Sequence, residues 1–283
     1  MVNFNGTILE HEEKFLNQEN RGLRYGDAVF ETIRVNAGKV LFWEEHYLRL
    51  MAGMRIMRMD IPMEFTMEFL EDQIRKILEV TGLTGTTARV RLTVFRKSGG
   101  RYTPENRGVE YVIEAAPVAE AFYQIREALC EVELFKDHYM APGLLSSVKT
   151  NNRALNVLAG IFASENDYHN CLLLNTDKKV VEAINGNLFL VKGNVIKTPP
   201  VADGCINGIL RKKLIEIIGK TEDLEFREES ISPFELQKAD ELFITNVISG
   251  IIPVSKYRKK NFESEVCRRL LGRLNAVVRL TEQ

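Results

Sequence analysis

The chain has 283 residues, 45% of them hydrophobic, enough for two modest domains or one large one. Its 38 basic and 39 acidic side chains leave a net charge of −1, which offers neither a basic footprint for nucleic acid nor an acidic solvating arm. No apolar run approaches the ~18–20 residues of a membrane span.

The start, M-V-N-F-N-G, is neither basic nor followed by an apolar stretch, so no signal peptide is expected. V-F-E-T-I-R-V and K-V-L-F-W flank N-A-G as a predicted hairpin. Helical spacing follows in E-E-H-Y-L-R-L-M-A-G-M-R and M-E-F-L-E-D-Q-I-R-K-I-L-E-V. A-R-V-R-L-T-V-F-R reads as a strand with one polar face. K-S-G-G-R-Y-T-P-E-N-R-G is a loop rich in breakers. V-E-Y-V-I-E-A-A closes this unit, and P-V-A-E-A-F reads as a crossover. The expected boundaries are a small N-terminal domain over 1–117, a linker over 118–122 and a larger domain over 123–283. The second half is strand-rich, with turns at N-T-D-K-K and V-K-G-N-V and a final helix in E-S-E-V-C-R-R-L-L-G-R-L-N-A-V-V-R-L. Cys130, Cys171, Cys205 and Cys267 lie far apart without a C-x-x-C pair, as in reduced thiols of a cytoplasmic protein. The four histidines show no metal-ligand spacing. The pattern alone gives α+β with two domains.

Lys149 carries the chemistry in this reading. It stands where the strand-like L-L-S-S-V gives way to helical spacing, with Asn151 or Asn152 as a cap. A lysine at such a junction has a half-buried root and an exposed tip, where an amine can lose its proton and become a nucleophile. A lone lysine is most often an ordinary solvated residue; its companions change the reading. They are R-Y-G-D-A-V-F-E-T-I-R-V, F-W-E-E-H-Y-L-R-L with Arg49, V-V-E-A-I-N-G-N-L-F with Glu182 and Asn187, G-C-I-N-G-I-L-R-K-K-L-I-E with Gly208, and A-D-E-L-F-I-T-N-V-I-S-G-I-I-P-V around Asn246.

In order and spacing, from about Asn5 to Val254, these motifs resemble the class IV (fold-type IV) aminotransferases. That family uses pyridoxal 5'-phosphate and includes branched-chain and D-amino acid aminotransferases and aminodeoxychorismate lyases. The resemblance implies a D-amino acid aminotransferase-like fold, with a small N-terminal α/β domain and a larger β-barrel-like C-terminal domain. It implies that Lys149 holds the cofactor through an imine and moves a proton at the substrate α-carbon. It implies that Glu182 faces the pyridine nitrogen. Arg49, Gly208 and the backbone N–H groups of Ile209 and Leu210 would hold the phosphate, with Asn207 capping that helix and Gly219 near its stop. Asn187, Asn246 and Val247 join the cofactor-binding set. Phe30, Arg24, Arg89 and Arg91 are the substrate-binding candidates, with Arg101 behind them, because an arginine grips a carboxylate with two parallel hydrogen bonds.

The chain also departs from the family pattern. Leu210 and Val247 stand where many members have threonine, so two hydroxyls are absent, and Asn246 or Thr245 is the expected substitute. Phe30 stands where D-amino acid aminotransferases place a tyrosine, and K-A-G-G-N-Y of the branched-chain enzymes is missing. N-G-I-x-R and K-x-x-N-R are closer to the lyases, whereas F-E-T-I-R favours transamination. A transaminase of D-amino acid or broad specificity is the leading reading. The lyase, a branched-chain aminotransferase and a non-catalytic protein of the same fold are the alternatives. The family further implies a homodimer acting on amino acids and 2-oxo acids, with Arg24 as the candidate to reach a neighbouring chain.

Overall fold

The structure is a computed structural model, described over residues 1–125 and 129–281. By its contacts the chain forms two units: Met1–Ala121 with Val148–Asn152, and Phe122–Ser147 with the chain from Arg153 onward. The first change of unit falls inside P-V-A-E-A-F. The residues around Lys149 go with the first unit, whereas the sequence reading places them within 123–283.

The first unit contains β1 (Val2–Phe4), β2 (Thr7–Leu9), α1 (Arg21–Tyr25), β3 (Ala28–Asn36), β4 (Lys39–Val40), α2 (Trp43–Ile56), α3 (Met67–Val80), β5 (Thr87–Arg96) and β6 (Val109–Pro117). Its strands make one six-stranded antiparallel sheet in the order β2-β1-β6-β5-β3-β4. The expected hairpin forms, but its second strand stops at Val40. Ala37 and Gly38 have φ of 45° and 81°, the two positive values a two-residue hairpin turn needs. Phe42, at φ 55°, then turns the chain into α2.

Alternation along β3 sends Val29, Ile33 and Val35 toward the helices, where they share a core with Leu50 and Met54 of α2 and Leu70, Ile74 and Ile77 of α3. Thr66 starts α3 by accepting the Phe69 N–H at 3.1 Å. The same alternation sends Phe30 and Thr32 the other way, beside Arg91 of β5, whose register pairs it with Thr32.

The second unit contains β7 (Glu131–Met140), α4 (Leu144–Ser147), α5 (Ala154–Glu165), β8 (Asn170–Asn175), β9 (Val180–Ala183), β10 (Gly186–Lys192) and β11 (Val195–Thr198). It continues with α6 (Ile209–Gly219), β12 (Glu225–Glu228), α7 (Pro233–Lys238), β13 (Glu241–Asn246), β14 (Gly250–Val254), β15 (Lys256–Tyr257), β16 (Lys260–Asn261) and α8 (Glu265–Thr281). The sheet runs β12-β11-β10-β9-β8-β7-β15-β16, and β13 with β14 branches from β10. β7 pairs parallel to β8 and to β15, and β11 parallel to β12. Leu172, Leu188, Leu190, Leu242, Ile244 and Val254 form its core. The buried Glu241 carboxylate accepts the N–H groups of Val266 and Cys267 at 2.7 and 3.0 Å, which satisfies the first turn of α8.

Among the described residues no helix is long and apolar enough to cross a membrane. The four cysteines are free and buried. Two mixed units of sheet and helix are the α+β class expected from the pattern.

Candidate active site

L-L-S-S folds as the short helix α4, not as the strand its apolar run suggests. Beyond it the chain joins the edge of β3. The Phe30 N–H donates to the Lys149 carbonyl at 2.9 Å, the Asn151 N–H donates to the Ala28 carbonyl at 3.0 Å, and Thr150 bridges antiparallel to Val29. Val148 drops into the core of the first unit. Lys149 is left half-buried, with Nζ 4.4 Å from the Phe30 ring centroid. This pairing is why the segment belongs with the first unit.

Asn151 and Asn152 do not cap α5. Its N-cap position is Arg153, with no capping side chain. Asn151 Oδ1 accepts from Arg91 Nη2 at 3.1 Å, and Asn152 Nδ2 donates to the Gly26 carbonyl at 3.2 Å. The polar residues that resembled a cap therefore tie the lysine segment to the sheet.

A second cation shares the Phe30 ring: Arg91 Cζ lies 3.7 Å from the centroid. Thr93 orients it as well, accepting from Nε at 3.2 Å. Glu114 is 3.9 Å away on a half-exposed side chain. Burial lowers the pKa of Arg91; Glu114 opposes this and Arg89 adds to it. Two cations at one aromatic ring repel each other, and an anion arriving there relieves that repulsion. Arg89 stands opposite Arg34 in the sheet register, half-buried. Arg24 lies exposed in the last turn of α1, and Arg101 is exposed with its carbonyl accepting from the buried Arg21 at 2.6 Å.

Arg49 stands on α2, held by Glu31 of β3. Its Nε donates to Oε1 at 2.7 Å and its Nη2 to Oε2 at 2.5 Å. His46 Nδ1 meets the same Oε2 at 2.7 Å. Burial raises the Glu31 pKa, but Arg49 and then His46 outweigh it and bring the group down to about 2. Burial lowers the His46 pKa against the pull of Glu31, with the positive charges of Arg49 and Lys149 lowering it further. The sequence reading missed Glu31 and His46. Two signals were available: His46 and Arg49 are three apart on one helix face, and Glu31 alternates with Val29 and Ile33 on an apolar strand face.

In the second unit Glu182 is buried on β9 and accepts the Ile206 N–H at 2.9 Å. Asn187, its partner across the β9–β10 turn, donates Nδ2 to the Ile206 carbonyl at 2.7 Å. The two side chains thus grip the peptide groups on both sides of Ile206. Burial, and then the Glu182 charge, pushes the Cys205 thiol up to about 12. Two residues beyond Ile206, α6 begins with Gly208 at its N-cap position, so Asn207, the expected cap, does not take that place. Gly219 is the last residue of α6, as expected. A Cβ at Gly208 would stand 2.1 Å from Asn187 Oδ1, so any other residue there forces the Asn187 side chain to shift. Ile209 and Leu210 open the helix, buried.

Asn246 and Val247 lie at the β13–β14 turn, which the Thr245–Asn187 register places beside Asn187. The expected substitutes for the absent hydroxyls have structural duties. Thr245 Oγ1 donates to the Gly250 carbonyl at 2.9 Å, and Asn246 Oδ1 accepts from Ile248 and Ser249 at 3.1 and 2.9 Å. The Val247 carbonyl accepts from the hydroxyl of Tyr123, a residue with no motif around it in the sequence, at 2.7 Å.

The family model described as amino-transferase class IV matches residues 28–257. The chain belongs to the class IV aminotransferases. A Methanocaldococcus jannaschii protein named "Putative branched-chain-amino-acid aminotransferase" is 33% identical over 257 residues, covering 89% of this chain and 86% of its own. A D-alanine aminotransferase of Bacillus licheniformis is 28% identical over 263 residues, covering 90% and 87%. The branched-chain amino acid aminotransferase of Thermobaculum terrenum in its PLP-bound holo form superposes with a TM-score of 0.85 over 98% of this chain and 93% of that one; at 22% identity this shows the fold.

Class IV aminotransferases are pyridoxal-phosphate enzymes, and the residues present fit that cofactor. The first unit by itself offers a half-buried lysine amine and an arginine. The second unit by itself offers the buried Glu182 carboxylate and the N-terminus of α6, which opens at Gly208.

Proposed function

We propose that the chain is a transaminase that moves an amino group between an amino acid and a 2-oxo acid at Lys149, with D-amino acids or a broad set of amino acids as substrates. The observation that carries this reading is the sharing of the Phe30 ring by the Lys149 ammonium and the Arg91 guanidinium, 4.4 and 3.7 Å from its centroid. An amino or oxo acid presents its reacting carbon and its carboxylate one bond apart, and this ring sets an amine and a carboxylate-binding fork side by side.

Pyridoxal phosphate supplies, when bound, an aldehyde that takes up amino groups and a ring that accepts electrons from the substrate α-carbon. Lys149 would hold it through its amine, and Lys149 Nζ would move the proton at the substrate α-carbon. Glu182 would face the ring nitrogen and favour its protonated form. Arg49, and the Ile209 and Leu210 N–H groups at the start of α6 with the helix dipole behind them, would be the phosphate donors. Arg91, with Arg89 behind it, takes the substrate carboxylate, and Phe30 forms the wall beside it.

The chain is further read as a homodimer, with the exposed Arg24 serving the neighbouring chain. Val157, Leu158 and Ile161 of α5 are exposed in one chain, as a partner-covered face would be. Mixing R24A with K149A chains tests this: recovery of activity supports sharing, and no recovery places Arg24 with its own chain. Substrate class is tested with D- and L-alanine, glutamate and leucine against pyruvate and 2-oxoglutarate, alongside aminodeoxychorismate. Turnover of D-amino acids supports the reading. Strict L-branched-chain turnover, or release of 4-aminobenzoate without transamination, replaces it.

A further inference from the structure

We propose that Glu31, backed by His46, is a positioning residue that sets the guanidinium of Arg49 for the cofactor phosphate; this rests on the phosphate role of Arg49 given above. Glu31 lies on the face of β3 that otherwise carries Val29, Ile33 and Val35 into the apolar core beneath α2. A carboxylate there is costly unless its oxygens are bonded. Both are: Oε1 accepts from Arg49 Nε, and Oε2 accepts from Arg49 Nη2 and meets His46 Nδ1.

The consequence falls on Arg49. A free arginine side chain samples many rotamers, and ordering it on binding weakens affinity. Here one edge of the guanidinium, Nε with Nη2, is fixed in a two-bond fork against a side chain that is itself 1% exposed, while the Arg49 side chain keeps 15% exposure. The fork leaves Nη1 on the edge of the guanidinium turned away from Glu31. His46 is fully buried on α2, one turn before Arg49, and its Nδ1 contacts the same Glu31 Oε2 at 2.7 Å. Glu31 also offsets part of the Arg49 charge, which by itself would weaken the attraction of a phosphate. The proposal is that fixed orientation outweighs that loss, as preorganised binding groups generally do.

The experiment titrates the full chain, freed of cofactor, with pyridoxal 5'-phosphate and separately with pyridoxal, reading absorbance and intrinsic fluorescence. The chains compared are wild type, E31Q, E31D, R49A and E31Q/R49A. Glu31→Gln is expected to weaken binding of the phosphorylated ligand about tenfold and to leave pyridoxal within about twofold, with Glu31→Asp recovering part of the loss. In the R49A background E31Q should cost nothing more, because Glu31 acts through Arg49. Equal losses for both ligands, an undiminished loss in the R49A background, or tighter phosphate binding in E31Q would overturn the proposal while leaving the role of Arg49 standing. An R49A chain that binds both ligands like wild type would remove the role of Arg49 itself, and the proposal with it. If E31Q does not fold, E31D and H46Q run through the same cycle with the same criteria.

Discussion

Phe30 holds Lys149 at both ends: its backbone N–H donates to the lysine carbonyl at 2.9 Å, and its ring centroid lies 4.4 Å from the lysine Nζ. The strand pairing fixes where the lysine root sits. The ring gives its tip an apolar wall and a favourable π-face.

Arg91 shares that ring, and its replacement should act on the substrate carboxylate. Loss of a charge-assisted donor is worth roughly 1.5–3 kcal/mol. R91A is expected to raise KM for the amino acid by about one to two powers of ten, with a smaller change in kcat and no change in cofactor occupancy. Steady-state kinetics against a substrate series checks this; an unchanged KM moves carboxylate binding to another arginine.

Glu182 should act on the chemistry and not on retention of the cofactor. E182Q keeps the side-chain shape and an oxygen for the Ile206 N–H, but removes the charge. Turnover should fall by several orders of magnitude, because the lost interaction strengthens as charge develops in the transition state. Occupancy, read by absorbance, should stay near that of wild type. Near-normal turnover would rule out this role.

A methyl group at Gly208 would come within 2.1 Å of Asn187 Oδ1 and push aside a side chain whose amide is bonded to the Ile206 carbonyl. G208A should therefore cost about 1–3 kcal/mol of stability and weaken cofactor binding. Adding N187A should return part of that loss, a non-additivity expected of two groups in direct contact. Denaturant melts of the two single variants and the double variant measure it, and simple additivity would contradict the contact.

Glu31 gives the chain an acid signature. Its pKa is held at about 2 in the folded chain against an ordinary 4.5. A lowered carboxyl stabilises the fold above its ordinary value, and that stability drains away as pH falls from about 4.5 toward 2. The loss is about 3 kcal/mol. His46, whose pKa burial lowers, adds a loss that begins below about 6.5, where the unfolded chain takes up its proton. Denaturant unfolding at stepped pH should show this slope, and E31Q should flatten its lower part. An identical slope in E31Q would place the acid sensitivity in other carboxylates.

The sequence made some of this legible for identifiable reasons. Helix α3 could be read because Leu70, Ile74, Ile77 and Leu78 repeat at helical spacing behind Thr66. Strand β5 could be read because its arginines interrupt an apolar run. Lys149 emerged from the order of its companion motifs. The four residues of α4 were too short to show a period, so the run before Lys149 looked like a strand. Asn151 and Asn152 looked like caps because nothing local reveals that Arg91 and Gly26 lie beside them. The Glu31–His46–Arg49 group joins a strand to a helix, and only the fold brings them together.

The identity of the amine tests the account most directly. The purified holoenzyme is reduced with borohydride, digested and mapped by mass spectrometry, with K149A treated in parallel. A pyridoxyl label is expected on Lys149 alone, and in K149A a folded protein with no label, no absorbance band at ~400 nm from the cofactor imine, and no turnover. A label on any other lysine, or turnover that survives in K149A, would contradict it.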